Sequence, residues 1–429
     1  MNQPITFKLH TYGCKVNTYD SGLLQSRLTN NGFSESSEPQ VHILNTCAVT
    51  KDATLEAVKT ARRLKAKNPF SLVVVTGCAA QVDTEEFTHV AGVDLVVANS
   101  HKGSLESLVR QYYAGLLKER VHKSNIFKKE DLEAGGGFES GHTRAFLKIQ
   151  DGCDSFCTFC VIPFARGKSR SLSVQDLVRR INELENSGVK ETVLTGVHIA
   201  DYDDDGRKLE DLVEAVLLKT KMPRLRLSSL EPGEVSSRLL DLYQDPRLCA
   251  HFHMSIQSAD TRVLQAMKRK YTSEQVAESL ETIARRVPGS YVGMDVIAGF
   301  PGETEDEFTA GNELLARLPW TRLHVFPYSS RPGTYAARQP GHLTRMQIKR
   351  RAEILRGLSD ARLSLMAQAQ VGQVKKALVL ANGQLLSRDY WPMNSENPLL
   401  GRVNQELDMH VTHFHGGKLL GRPIDALPF

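Results

Sequence analysis

Nine residues, Gly152 to Cys160, hold three of the chain's seven cysteines in the order C-x3-C-x2-C: Cys153, Cys157 and Cys160. Thiolate is the soft ligand that iron–sulfur clusters take, and three on one tight loop can hold three irons of a cubane. The fourth iron is then left without a protein ligand, and that vacancy is where chemistry can occur. Zinc would need a fourth ligand close by, and the nearest histidines, His142 and His198, stand at no zinc-knuckle spacing. Three unliganded structural thiols are the blander alternative. A disulfide framework is disfavoured by the odd cysteine count and by an N-terminus with no apolar export core.

A second trio is dispersed. Cys14, Cys47 and Cys78 lie 33 and 31 residues apart, each just after a short run of β-forming residues at 5–9, 41–44 and 72–75. Isolated cysteines are commonly buried fillers. Placement at equivalent ends of three strands favours a shared metal site instead, because open parallel sheets bind ligands beyond their carboxyl ends. Again three thiolates leave one position open. Cys249 stands outside both trios and reads as a filler.

The elements that must position these residues alternate. Strand and helix patterns over 4–120, including a strand at 94–97 and helices at 20–28, 53–67, from 85 onward and at 105–117, predict an open parallel α/β sheet domain. Residues 121–142, with Lys123, Lys128, Lys129, Glu130, Asp131 and Gly135 to Gly137, read as a polar, glycine-rich linker. The alternation resumes over 143–368. Strands at 145–150, 191–195, 224–228, 252–256, 292–298 and 323–328 make six βα units, a partial barrel. Such folds carry their chemistry at the carboxyl ends of the strands. Gly196, Ser229, Glu231, Gln257 and Asp295 are therefore candidate cofactor contacts, with plain barrel structure the alternative. Residues 369–429, with strands at 374–380 and 407–413 and turns at Asn382-Gly383 and Gly416-Gly417, predict a small appended β-barrel.

With 41% hydrophobic and 24% charged residues and no run of 18 apolar residues, the composition excludes a membrane-spanning helix bundle. Net charge is +5, yet 341–376 alone carries eight basic residues against Glu353 and Asp360. A localised basic stripe suits a phosphate backbone; a solvated helix face would look the same. Lys59, Arg62, Arg63, Lys65 and Lys67 form a second basic face. Arg166, Lys168 and Arg170, just past the cysteine loop, could meet a phosphate or carboxylate. Phe156 and Phe159 are positioned to wall off a cluster.

C-x3-C-x2-C is the spacing of radical S-adenosylmethionine (SAM) enzymes, and the chain resembles the methylthiotransferases of that superfamily across almost its whole length. The resemblance rests on TYGCKVN, NTCAVT and VVVTGCAAQ in the first domain. In the second it rests on GCDSFCTFCVIPFARGKSRS, TGVHI, LRLSSLEP, AMKRKYT, GFPGETEDEF and HVFPYSSRPGTYAAR. It implies two 4Fe-4S clusters, on Cys153/Cys157/Cys160 and on Cys14/Cys47/Cys78, with SAM as cofactor. It also implies a C-terminal RNA-binding barrel (TRAM), and a monomer acting in the cytoplasm with an electron donor and a sulfur source. The words NTCAVT, ARGKSRS, LSSLEP and HVFPYSSRPGT resemble most the branch that methylthiolates C2 of N6-threonylcarbamoyladenosine in the tRNA anticodon stem-loop. Sister branches act on isopentenyl-adenosine or on a ribosomal-protein aspartate. A non-catalytic iron–sulfur RNA-binding or redox-sensing protein is the rival of another class. Departures are Ala259 after Gln257-Ser258, Met294 before Asp295, and Arg388 to Pro392, which match the expected barrel pattern poorly.

Overall fold

A computed structural model describes residues 4–129, 132 and 143–424. Six strands, β1 (Thr6–Thr11), β2 (Ser34–Glu35), β3 (Val41–Thr46), β4 (Leu72–Gly77), β5 (Leu95–Ala98) and β6 (Val121–His122), form one sheet in the order β2-β1-β3-β4-β5-β6. All its pairings are parallel. Every residue of β3 and β4 is buried, as expected of central strands covered on both faces. The sheet differs from expectation in two places. Val121–His122 pairs with Val96 and Val97, so the stretch read as a linker begins as an edge strand. The helix expected from 85 onward instead starts at Cys78 itself (Cys78–Val82) and breaks before a second turn at Thr84–Thr88. Of the remaining linker positions, Glu130, Asp131, Gly135 to Gly137 and His142 lie outside the described residues.

The second region begins with β7 (Arg144–Lys148) and a short brace, β8 (Gln150–Asp151) with β9 (Arg170–Ser171). It continues through β10 (Glu191–Thr195), β11 (Leu225–Leu227), β12 (Ser229–Leu230), β13 (His251–Gln257), β14 (Tyr291–Ala298) and β15 (Arg322–Pro327). β11 and β12 are one strand position interrupted at Ser228, so β7-β10-β11 and β12-β13-β14-β15 run on as six parallel strands in sequence order. This is the expected partial (βα)6 barrel. Its helices start on side-chain caps, such as Ser173 accepting from the Asp176 N–H and the Thr272/Gln275 and Thr304/Glu307 boxes. Tyr19 of the first region's helix Lys15–Asn30 enters the same apolar core as Leu147 and Leu194.

The last strands, β16 (Val374–Val379), β17 (Leu385–Ser387), β18 (Pro392–Ser395), β19 (Glu406–His415) and β20 (Lys418–Pro423), close into a barrel in the order β16-β17-β18-β20-β19. The poorly patterned stretch is resolved here. Tyr390 takes a left-handed turn conformation (φ 73°), and Trp391 drops into the barrel core beside Met393 and Met409. Three residues of the basic stripe are spent inside the fold, while Arg345, Lys349, Arg350, Arg356 and Lys376 stay exposed. Arg351 is buried against Glu303 (2.6 Å) and Glu305 (3.1 Å), the Arg362 guanidinium stacks over Trp320, and Lys375 pairs with Asp389.

Candidate active site

The cysteine loop is an excursion closed at its base. Gln150 and Asp151 pair antiparallel with Ser171 and Arg170, and the Cys153 N–H donates to the Gly167 carbonyl at 3.1 Å. Gly152 makes the closure possible. It has φ 79°, and a Cβ there would stand 1.9 Å from the Lys168 carbonyl oxygen. The Thr158 N–H and hydroxyl donate to the carbonyls of Met267 and Ala266 at 3.1 and 2.9 Å, tying the loop to the segment after β13.

Each sulfur of this trio receives an N–H. The Ser155 amide points at Cys153 Sγ (3.4 Å), the Ile162 amide at Cys160 Sγ (3.4 Å) and Arg269 Nη1 at Cys157 Sγ (3.2 Å). Donors aimed at sulfur stabilise thiolate rather than thiol, which is the form a cluster requires. As free thiols Cys157 and Cys160 are held protonated. Burial, reinforced by Cys157 and Cys153, pushes Cys160 up to about 12, and burial also raises Cys157 against the pull of Arg269. A bound metal removes those protons outright.

The dispersed trio is brought together by the sheet. β1, β3 and β4 are neighbours in register, with Thr11 opposite Asn45 and Thr46 opposite Gly77, so Cys14, Cys47 and Cys78 emerge side by side at one edge. Gly13 touches Cys47 so closely that a Cβ would meet its Sγ at 2.6 Å. Burial, then the neighbouring Cys78, pushes Cys47 up to about 12. Burial also raises Cys78, while Arg166 and Lys102 pull it back toward the thiolate. The Asn99 amide donates to Cys78 Sγ (3.7 Å) and to the Ala165 carbonyl (2.9 Å), linking this edge to the helix Ile162–Arg166 that follows the other cysteine loop.

The strand-end candidates fall into separate groups. Glu231 accepts from Arg269 Nη1 at 2.9 Å and borders a cavity of about 200 Å³ with Cys157, Ser155 and His198. Burial raises the Glu231 carboxyl, and Arg269 opposes it. Gln257, strained at φ 62° beside a bulge in β13, and Asp295 line a cavity of about 190 Å³ with Phe159, Tyr328 and, from the first region, Val49 and Thr50. Ser229 lies behind this wall, 3.1 Å from His253 Nδ1, whose Nε2 is 2.8 Å from Asp295. Gly196 borders neither cavity; it leaves room for the Gln150 side chain, which accepts from the Val197 and His198 amides.

Several expectations are corrected. Arg166 is buried between Asp151 (3.0 Å), Asn17 (2.7 Å) and Asp20 (3.1 Å), on the wall of a small cavity shared with Lys102 and Lys148. Arg170 donates to the Lys129 and Arg166 carbonyls, and only Lys168 of the three is exposed. Phe159 faces Phe300 inside, whereas Phe156 (φ 48°, 38% exposed) turns out against Phe127 and Phe164. On the second basic face Lys65 bonds Asp94, leaving Lys59, Arg62, Arg63 and Lys67 exposed. Cys249 is buried, as a filler should be.

Two residues that touch the cysteine loop escaped the sequence reading. Arg269 was hidden in a run of three basic residues, Lys268 to Lys270, where nothing in composition separates a buried guanidinium from solvated ones. His198 sits against Asp201, Glu234 and Cys153; burial would lower its pKa, but these partners raise it to about 12. Among the described residues no helix is long and apolar enough to cross a membrane.

Residues 147–312 match the radical SAM superfamily, and residues 6–98 match a family described as uncharacterised protein family UPF0004. The chain is 36% identical over 394 residues to the threonylcarbamoyladenosine tRNA methylthiotransferase MtaB of Aquifex aeolicus, covering 90% of this chain and 95% of that protein. Against MtaB of Bacillus subtilis it is 35% identical, covering 83% and 80%. The tRNA-2-methylthio-N(6)-dimethylallyladenosine synthase of Syntrophomonas wolfei is 30% identical, with 99% and 95% covered. Among solved structures, the radical SAM methyltransferase TsrM of Kitasatospora setae superposes with a TM-score of 0.55 at 15% identity, covering 76% of this chain and 74% of that one, a likeness of fold alone. Two cysteine trios at two sheet edges, the superfamily match and relatives of this identity over nearly full length together show that the chain belongs to the radical SAM methylthiotransferase family.

Proposed function

We propose that this protein is a tRNA methylthiotransferase that adds a methylthio group to C2 of N6-threonylcarbamoyladenosine, the base 3′ of the anticodon. The observation that carries the substrate is the 36% identity, over 95% of its length, to a relative named for that nucleoside. In this reading Cys153, Cys157 and Cys160 hold the 4Fe-4S cluster that engages SAM, and Cys14, Cys47 and Cys78 hold a second one that receives sulfur. When bound, the first cluster and SAM supply one-electron cleavage chemistry that amino-acid side chains cannot.

The chain's own groups do the rest. SAM carries an ammonium and a carboxylate on its methionine end, and Glu231 and Arg269 offer the complementary pair beside Cys157, separated from each other by only 2.9 Å. Binding SAM exchanges that internal pair for two ligand pairs without stranding a buried charge. Gln257 and Asp295 face the cavity under Val49 and Thr50, where the first region roofs the barrel mouth and excludes water from the reacting base. Ser229 and His253 fix the Asp295 carboxylate from behind; Gly196 shapes the loop. The exposed Lys59, Arg62, Arg63 and Lys67 and the C-terminal barrel serve the anticodon stem-loop, in the cytoplasm where tRNA is modified.

The test is nucleoside mass spectrometry of tRNA from a deletion strain complemented with wild type or variants. Wild type restores the 2-methylthio derivative of threonylcarbamoyladenosine; C153A and C14A do not. Restoration of a methylthio isopentenyl-adenosine, with threonylcarbamoyladenosine untouched, would overturn the substrate. In vitro, C14A keeps SAM cleavage and C153A loses it.

A further inference from the structure

Between the two cysteine trios lies a buried charge cluster that does not balance among the described residues. Arg166 grips Asp151 (3.0 and 3.1 Å) and Asp20 (3.1 Å); Lys148 bridges the same two carboxylates at 2.9 and 2.7 Å; Lys102 pairs with Asp20 at 3.0 Å. None of these side chains is more than 13% exposed. Among the described residues three cations therefore face two carboxylates, and Arg170 adds a fourth positive group 4.0 Å from Asp151. An uncompensated buried charge costs several kcal/mol, so a counter-charge is expected nearby.

The cluster leans on the first region's trio. Arg166 Nη2 donates to Asn17 Oδ1 (2.7 Å), and the Asn17 amide donates to the carbonyls of Tyr12 (2.9 Å) and Thr46 (2.8 Å), beside Cys14 and Cys47. Lys102 donates to Asn45 Oδ1 at 3.2 Å, two residues before Cys47. Asn99 spans from Cys78 Sγ to the residue before Arg166. Three thiolates on a 4Fe-4S core of charge +2 leave a net −1, opposite in sign to that surplus.

Resting on the reading that Cys14, Cys47 and Cys78 hold a cluster, we propose that the Lys102/Lys148/Arg166 cations held on Asp20 and Asp151 are that cluster's counter-charge. They are positioning residues that favour its reduced, more negative state. Cluster potentials follow net charge and hydrogen bonding in this way. Because Arg166 also follows directly on the SAM-side loop, one guanidinium ties the charge of one centre to the seating of the other.

The experiment uses the full chain with Cys153, Cys157 and Cys160 changed to alanine, reconstituted anaerobically so that one cluster remains, with its midpoint read by EPR-monitored redox titration. In that background K102M moves the midpoint to more negative potential, K102R restores it, and D20N, which enlarges the surplus, moves it to more positive potential, all at the iron content of the one-cluster parent. Opposite shifts from two neighbouring substitutions are not produced by loosened packing. If K102M fails to hold iron, D20N alone decides: a positive shift supports the counter-charge. Unchanged midpoints at full iron overturn the proposal while leaving the cluster intact. A parent chain that binds no iron overturns the cluster reading, and this proposal with it.

Discussion

Glu191, at the start of β10, is wholly buried and carries three guanidinium groups: Arg144 Nε at 2.7 Å, Arg224 Nε at 2.9 Å and Arg226 Nη2 at 3.0 Å. Two of those arginines reach on into the C-terminal barrel. Arg224 donates to the Leu386 and Ser387 carbonyls (3.0 and 3.1 Å) and pairs with Glu406 (2.6 Å), while Arg226 donates to the Arg388 carbonyl (3.1 Å). Removing one partner of a buried ion pair costs about 3–5 kcal/mol. Gln at 191 keeps one acceptor oxygen and Arg224 keeps Glu406, so the low end, about 3 kcal/mol, is expected for E191Q. At roughly 2–4 °C per kcal/mol for a domain of this size, the barrel's calorimetric transition falls by about 6–12 °C. Burial opposes ionisation of Glu191, but Arg144, Arg226 and Arg224 outweigh it and hold the carboxyl well below its ordinary 4.5. A depressed acid contributes its stability above its unfolded pKa and loses it as pH falls through the folded one. The gap between wild type and E191Q is therefore full at neutral pH and closes only in strong acid. Calorimetry at several pH values, with limited proteolysis after the helix Arg345–Gln368 to report release of the C-terminal barrel, reads both. A gap under about 0.5 kcal/mol, the scale of an ordinary surface change, or one that widens as pH falls, would refute the reasoning.

Three further outcomes follow from the geometry. Losing a charge-assisted contact worth about 1.5–3 kcal/mol, R269M weakens SAM binding roughly 10–100-fold, and R269K recovers part of it, as equilibrium dialysis with SAM would show. G152A places a methyl group 1.9 Å from the Lys168 carbonyl, so it loses the loop's cluster but retains the one on Cys14, Cys47 and Cys78; iron analysis falls by about half. W391A empties the centre of the C-terminal barrel at a cost of about 3–5 kcal/mol, unfolding that barrel in calorimetry and weakening tRNA binding in filter assays while sparing SAM cleavage.

Local signals carried most of the fold. β10 begins and ends at 191–195, where strand propensity puts it, because it is covered by its immediate neighbours. The two cysteine trios were legible for a similar reason: spacing in one case, equivalent strand ends in the other. What stayed hidden depends on contacts far apart in sequence. Arg166 looks like any basic residue after a loop, and only the docking of Asn17 and Asp20 against it makes it a buried bridge. Arg351 is one of eight basic residues in its stretch, yet it alone turns inward to Glu303. β17 and β18 are three and four residues long, too short for an alternating pattern, and gain definition from ring closure around Trp391. Val121–His122 pairs only because Val96 and Val97 offer an open edge.

The central claim is that six thiolates gather as two separate trios, each a cluster with an open position. Iron and sulfide analysis after anaerobic reconstitution tests it most directly. The expected result is about eight irons per wild-type chain and about four after alanine replacement of either trio, Cys14/Cys47/Cys78 or Cys153/Cys157/Cys160. About four irons in wild type, all lost on replacing Cys153, Cys157 and Cys160 and none lost on replacing Cys14, Cys47 and Cys78, would contradict it.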